Sequence, residues 1–116
     1  MKRSYTEFLQ DILDAITEVE FFVNGINFDA FKANREKTLA VVKLLEIIGE
    51  AVKKIPDDKR NSYSEIPWQA IAGMRDILVH EYWQVDVAVV WATVHNFLPS
   101  LKAVVMDMLN GETNES

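Results

Sequence analysis

An arginine, a histidine and a tyrosine fall together in the segment Met74-Arg75-Asp76-Ile77-Leu78-Val79-His80-Glu81-Tyr82, with the spacing Arg75-x4-His80-x-Tyr82. These three groups suit phosphodiester chemistry that needs no metal. Histidine takes and gives protons near neutral pH. Arginine is a permanent planar cation that can stabilise charge building on a phosphoryl oxygen. A tyrosine hydroxyl can position a ligand or be modified itself. A non-chemical reading uses the same residues: Arg75 pairs with a neighbouring carboxylate, His80 caps a helix end and Tyr82 packs at the following turn.

Helix geometry constrains the chemical reading. At about 100° per residue, Arg75 and His80 point about 140° apart on a straight helix, whereas Arg75 and Tyr82 are nearly aligned. Arginine and histidine then share a site in two ways, which can coexist: the helix ends or distorts between them, or the site is completed across a dimer interface. Two copies of His80 in one groove would supply both an acid and a base.

The elements that must carry this motif read as helices. The chain of 116 residues, 49% of them hydrophobic, is long enough for one core and one domain. From Tyr5 to Val23, Phe8, Leu9, Ile12, Ile16, Val19 and Val23 recur at three- and four-residue steps, and Asn24-Gly25 stops this first helix. Phe28 to Asn34 reads as a short extra turn. A second helix runs from about Arg35 to Lys54, with Val41, Leu44, Leu45, Ile48, Ala51 and Val52 apolar and Pro56 ending it. Asn61 to Glu65 is a polar loop, and Ser64-Glu65-Ile66-Pro67-Trp68 resembles a capped helix start. The third helix sends Trp68, Ile71, Ala72, Met74 and Leu78 to the core and delivers Arg75 near its end.

Asp86 is placed to cap the last helix, which Pro99 should bend by removing the amide that would bond the His95 carbonyl. The predicted fold is all-α, an up-and-down four-helix bundle. Its domain spans residues 1–110, and 111–116 form a disordered tail. Val87, Val89, Val90, Trp91, Val94, Phe97, Leu98, Leu101, Val104 and Val105 cover more of the last helix than a small bundle can bury. A symmetric homodimer is the expected outlet.

Composition narrows the function. A net charge of −6 argues against a generic nucleic-acid binder, so any RNA contact must be local. The basic concentration Lys53, Lys54, Lys59 and Arg60 reads as a solvated helix end, and Lys43, Glu46, Glu50 and Lys53 as a charge-paired stripe. A di-iron site would need Glu-x-x-His on paired helices, and neither His80 nor His95 has a glutamate three residues before it. No metal and no cofactor are expected. The absence of cysteine excludes a thiolate nucleophile. With no run of about 18 apolar residues and no signal-peptide pattern, a cytoplasmic protein without membrane contact is expected. His95 reads as a helix-surface or interface residue. Trp68, Trp83 and Trp91 read as core and interface mass, with Trp83 also able to line the groove beside the motif.

Taken in order, Leu45-Glu46-Ile47-Ile48-Gly49-Glu50-Ala51, Ile66-Pro67-Trp68, Ile71-Ala72-Gly73-Met74-Arg75-Asp76, Leu78-Val79-His80-Glu81-Tyr82-Trp83, Val85-Asp86, Val90-Trp91 and Asn96-Phe97-Leu98-Pro99 resemble the HEPN-domain toxins of the HepT-like type. The similarity covers nearly the whole chain. It implies a homodimeric, metal-independent endoribonuclease, the toxin of a type VII-like toxin–antitoxin pair, cutting RNA through the 2′-hydroxyl to a 2′,3′-cyclic phosphate. Arg75 and His80 match the family's catalytic pair, with Asp76, Glu50 and Trp83 as supporting or substrate-binding residues. Asp76 stands where asparagine is commonest. Tyr82 matches the tyrosine to which a minimal nucleotidyltransferase antitoxin attaches AMP. The alternative is a non-catalytic helical adaptor that binds a nucleotide or the nucleotidyltransferase.

Overall fold

A computed structural model of the chain describes residues 4–81 and 84–114, and within these the side chains of 79–81 and 113–114 are not described. Helix α1, Tyr5–Val23, has the bounds its apolar spacing predicts and buries Leu9, Ile12, Ala15, Ile16 and Val19. It ends at Asn24, and Gly25 turns the chain with a φ of +74°, a conformation that glycine adopts without a Cβ penalty. The segment expected as a single turn is a helix of six residues, α2, Phe28–Ala33. The Asn27 side chain caps it by accepting from the Ala30 amide at 2.9 Å, and buried Phe31 anchors it.

Asn34 ends α2 and caps the next helix, accepting from the Lys37 amide at 3.0 Å. That helix, α3, Arg35–Val52, stops two residues earlier than the sequence suggests. Lys53 and Lys54 form a turn, in which the Lys54 amide donates to Ala51 and that of Ile55 to Val52, before Pro56. α3 packs against α1, α5, α6 and α7 and is the central helix of the bundle. Its buried face combines Val41, Val42, Leu44, Leu45, Ile48 and Val52.

A short helix absent from the sequence reading follows, α4, Asp57–Asn61, with two acids in its first turn and a cation pair in its last. The capped start expected at Ser64 takes another form. Pro67 occupies the N-cap position of α5, Trp68–Ala72, with no side-chain cap. Gly73 then separates α5 from α6, Met74–Leu78, so the expected third helix is two short pieces. Past Leu78 the backbone extends: β1, Val79–Glu81, pairs antiparallel with β2, Gln84–Val85, aligning Val79 with Val85 and Glu81 with Gln84. This two-stranded ribbon was not expected from the sequence. The architecture remains an all-α bundle around it.

Asp86 caps α7, Val87–Asn96, by accepting from the Val89 amide at 3.2 Å. The expected bend is present: α7 meets α8, Leu98–Asn114, at 44°, three residues before the Leu101 amide recovers the Phe97 carbonyl. α8 continues to Asn114, beyond the Leu109 at which the apolar pattern stops and into the stretch expected as a tail. Glu112 supplies the reason, since its carboxylate takes both the Tyr5 hydroxyl and the Lys59 ammonium. Among the described residues, no single helix is long and apolar enough to cross a membrane.

Candidate active site

The motif is held by the way α5 and α6 are clamped to α3. Trp68 is buried, and its indole N–H donates to the carbonyls of Arg60 and Tyr63 at 2.9 and 3.0 Å, fixing the start of α5. Ile71, Met74 and Leu78 bury the inner face of both pieces. Gly49 of α3 lets the backbones meet: a Cβ at this position would lie 2.8 Å from the Ile71 carbonyl oxygen. Such close seating of α5 brings the next piece, α6, over the polar stripe of α3.

Arg75 is 76% exposed, and its Nε lies 3.9 Å from Oε1 of Glu46, which is only 25% exposed. The pair sits on a groove of about 420 Å³ whose walls include Phe8, Asp11, Lys43, Glu50 and Lys54. With most of its side chain exposed, the guanidinium stays open to a phosphate. An ion pair this open contributes little to stability.

Glu50, the expected supporting carboxylate, lines the same groove but pairs with Lys53 at 3.0 Å. Glu46, one turn earlier on α3, is the acid that faces Arg75. Sequence reasoning saw Glu46 only as part of a charge-paired stripe. The signal was its i, i+4 relation to Glu50, which puts both on the face that lines the groove. Asp76 is exposed on α6 and is not part of the groove wall.

The helix carrying Arg75 ends at Leu78, two residues before His80, which lies in β1. The first of the two geometries that free Arg75 and His80 from opposite helix faces is therefore present in the backbone. The Asp86 amide donates to the Leu78 carbonyl at 2.9 Å and closes the base of the ribbon there. Tyr82 and Trp83 lie outside the described residues.

On another side of α6, Ile77 is 49% exposed and Phe97 40% exposed, and with Pro67, Ala70, Val89 and Ala92 they line an apolar depression. Much of the apolar surplus expected on the last helix is absorbed within the chain. Val90, Val94, Leu98, Leu101, Val104 and Val105 are buried, and Trp91 packs on Phe28 and Phe31 of α2 at ring-centroid distances of 6.0 and 5.3 Å. His95 is exposed, as expected, with its ring 4.1 Å from that of Trp91 and Nδ1 2.8 Å from the Trp91 carbonyl.

Comparison with known proteins gives these features a family. The model of the HepT-like family, ribonuclease HepT-like, matches residues 12–108. A protein of Thermococcus cleftensis with the name "Probable ribonuclease HepT" is 48% identical over 88% of this chain and 93% of its own. A Methanocaldococcus jannaschii protein named as an RNase is 44% identical over 87% of this chain and 84% of its own. Another so named, from Caldanaerobacter subterraneus subsp. tengcongensis, is 43% identical over 90% and 94%. No solved structure matches the chain. Matched from α1 into α8 and sharing close to half its residues with several such relatives, the chain belongs to the HepT-like ribonuclease family.

Proposed function

We propose that the chain is a metal-independent endoribonuclease and the toxin of a two-component pair in the cytoplasm, with Arg75 and His80 as its catalytic residues. The observation that carries this reading is an exposed arginine beside Glu46, on a helix that stops before the histidine. His80 takes the proton of a ribose 2′-hydroxyl, and the resulting oxygen attacks the adjacent phosphorus. Arg75 stabilises the added negative charge on the crowded phosphate. The P–O5′ bond breaks, and the 5′-oxygen leaves with a proton, giving a 2′,3′-cyclic phosphate and a 5′-hydroxyl.

One histidine cannot be base and acid at the same moment, so the second proton comes from His80 of a second copy. The apolar depression around Ile77 and Phe97 supports a homodimer. A partner nucleotidyltransferase silences the toxin by attaching AMP to Tyr82. The added phosphate puts an anion where the RNA backbone must sit and repels it.

The experiment is purified protein with RNA in EDTA, wild type beside His80→Ala. Cleavage by wild type alone supports the reading, and equal cleavage by both sinks it. The second reading, a non-catalytic adaptor for a nucleotide or the nucleotidyltransferase, draws on the net charge of −6 and on Asp76. Growth arrest on expression, relieved by Arg75→Ala, separates the two, because an adaptor would arrest nothing.

A further inference from the structure

Lys43 and Lys54 line the groove that holds Arg75, and both are exposed. Lys43 stands on α3, and Lys54 lies in the turn just past its end at Val52. Glu46, the partner of Arg75, lies between them, about 4.5 Å along the axis from Lys43 and about 9 Å from the end of α3, beyond which Lys54 follows. The reacting position is therefore flanked by one cation on each side.

The carboxylates of this groove are already engaged. Glu46 faces Arg75, Glu50 pairs with Lys53, and Asp11 has an interaction of its own. Among the described residues, neither lysine is in an ion pair. Phe8 and exposed Ile47 line the same groove and offer bases an apolar surface to stack on. Lysines and apolar side chains in one groove match a single strand, with its phosphates on the cations and its bases on the apolar surface.

We propose that Lys43 and Lys54 bind the RNA backbone on either side of the scissile phosphate, so that a single strand runs along α3 through the groove. This rests on the ribonuclease reading and adds the path of the substrate. It also resolves how a chain of net charge −6 can hold RNA. The attraction is confined to one channel whose acids are paired with other groups.

The test measures binding of a fluorescent single-stranded RNA by anisotropy across a salt series, in protein carrying His80→Ala so that the probe stays intact. Cleavage by the chain with His80 present is assayed in parallel. Lys43→Gln and Lys54→Gln should each weaken binding severalfold and lower the slope of log affinity against log salt by about 0.7, with similar loss for different RNA sequences. Lys32→Gln, on α2 and away from the groove, should leave both unchanged. Cleaving protein whose salt slope is the same with and without the two lysines overturns the path alone. Protein that neither cuts nor binds RNA overturns the path and the ribonuclease reading together.

Discussion

Arg75 meets Glu46 through Nε at 3.9 Å, while the rest of the guanidinium stays in solvent. A carboxylate on the α3 side can aim the fork without occupying it. Glu46→Gln keeps the size of the side chain and removes its charge. Cleavage should fall about tenfold in kcat, or about 1.4 kcal/mol of barrier, with KM little changed and no shift in Tm. Arg75→Lys keeps a cation but loses the planar fork, and should cost about 10²–10³-fold in the same assay. A drop in Tm matching the loss of rate in Glu46→Gln would assign Glu46 to the fold instead.

Gly49 supplies the close approach that puts Arg75 over α3. In an ordinary helix interior, Gly→Ala stabilises by about 1 kcal/mol. Here the added methyl would meet a backbone oxygen at 2.8 Å, and a carbonyl in a packed helix cannot swing away as a side-chain tip can. Overpacking of this kind costs about 1–3 kcal/mol, so Gly49→Ala should forfeit that gain, lower stability by up to about 2 kcal/mol net and displace α5 and α6. Denaturant unfolding checks the first effect. Loss of cleavage in conditions where the variant is folded checks the second.

How much of this was legible in the sequence depends on the range of the interaction concerned. The bounds of α1, the Asp86 cap and the bend near Pro99 are local matters of spacing and backbone chemistry, and all three could be read from neighbouring residues. The break at Gly73 and the ribbon at 79–81 and 84–85 could not, because tertiary clamping of α5 and backbone pairing decide them. The same holds for the site. Arg75 and His80 are candidates by type and spacing alone, whereas Glu46 became the partner of Arg75 only when α6 was laid across α3. The apolar excess of the last helix was visible, but one element that covers it, α2 against Trp91, was hidden in a segment too short to weigh.

Ile77 is the side chain on which the dimer can be tested with least damage to the fold. Half-exposed, it sits in the apolar depression with Phe97, on a helix whose core contacts are made by Met74 and Leu78. Ile77→Glu should leave the helical content and Tm close to wild type, since no deeply buried group is replaced. Size-exclusion with light scattering should show wild type as a dimer and the variant as a monomer, and cleavage should fall with the dimer. A monomeric wild type that cuts RNA would place both proton transfers within one chain.

Tyr63 ties the loop before α5 to α8, donating its hydroxyl to Asp107 at 2.5 Å. The hydrogen bond to Asp107 is the largest cause holding its phenol above the ordinary tyrosine range, followed by burial and then by the charges of Asp107 and Glu65. A pKa raised on folding means that the protonated form is favoured in the native state. The contribution is therefore fully present below the unfolded value, about 10, and is lost as pH rises through the higher folded value. Tyr63→Phe should be less stable than wild type by a constant small amount from neutral pH to about 10, and the difference should shrink above that. Urea unfolding of both proteins across this range measures it. A gap that persists into strong alkali would mean that Tyr63 stabilises the loop through its ring, and that the bond to Asp107 adds nothing to the seating of α5.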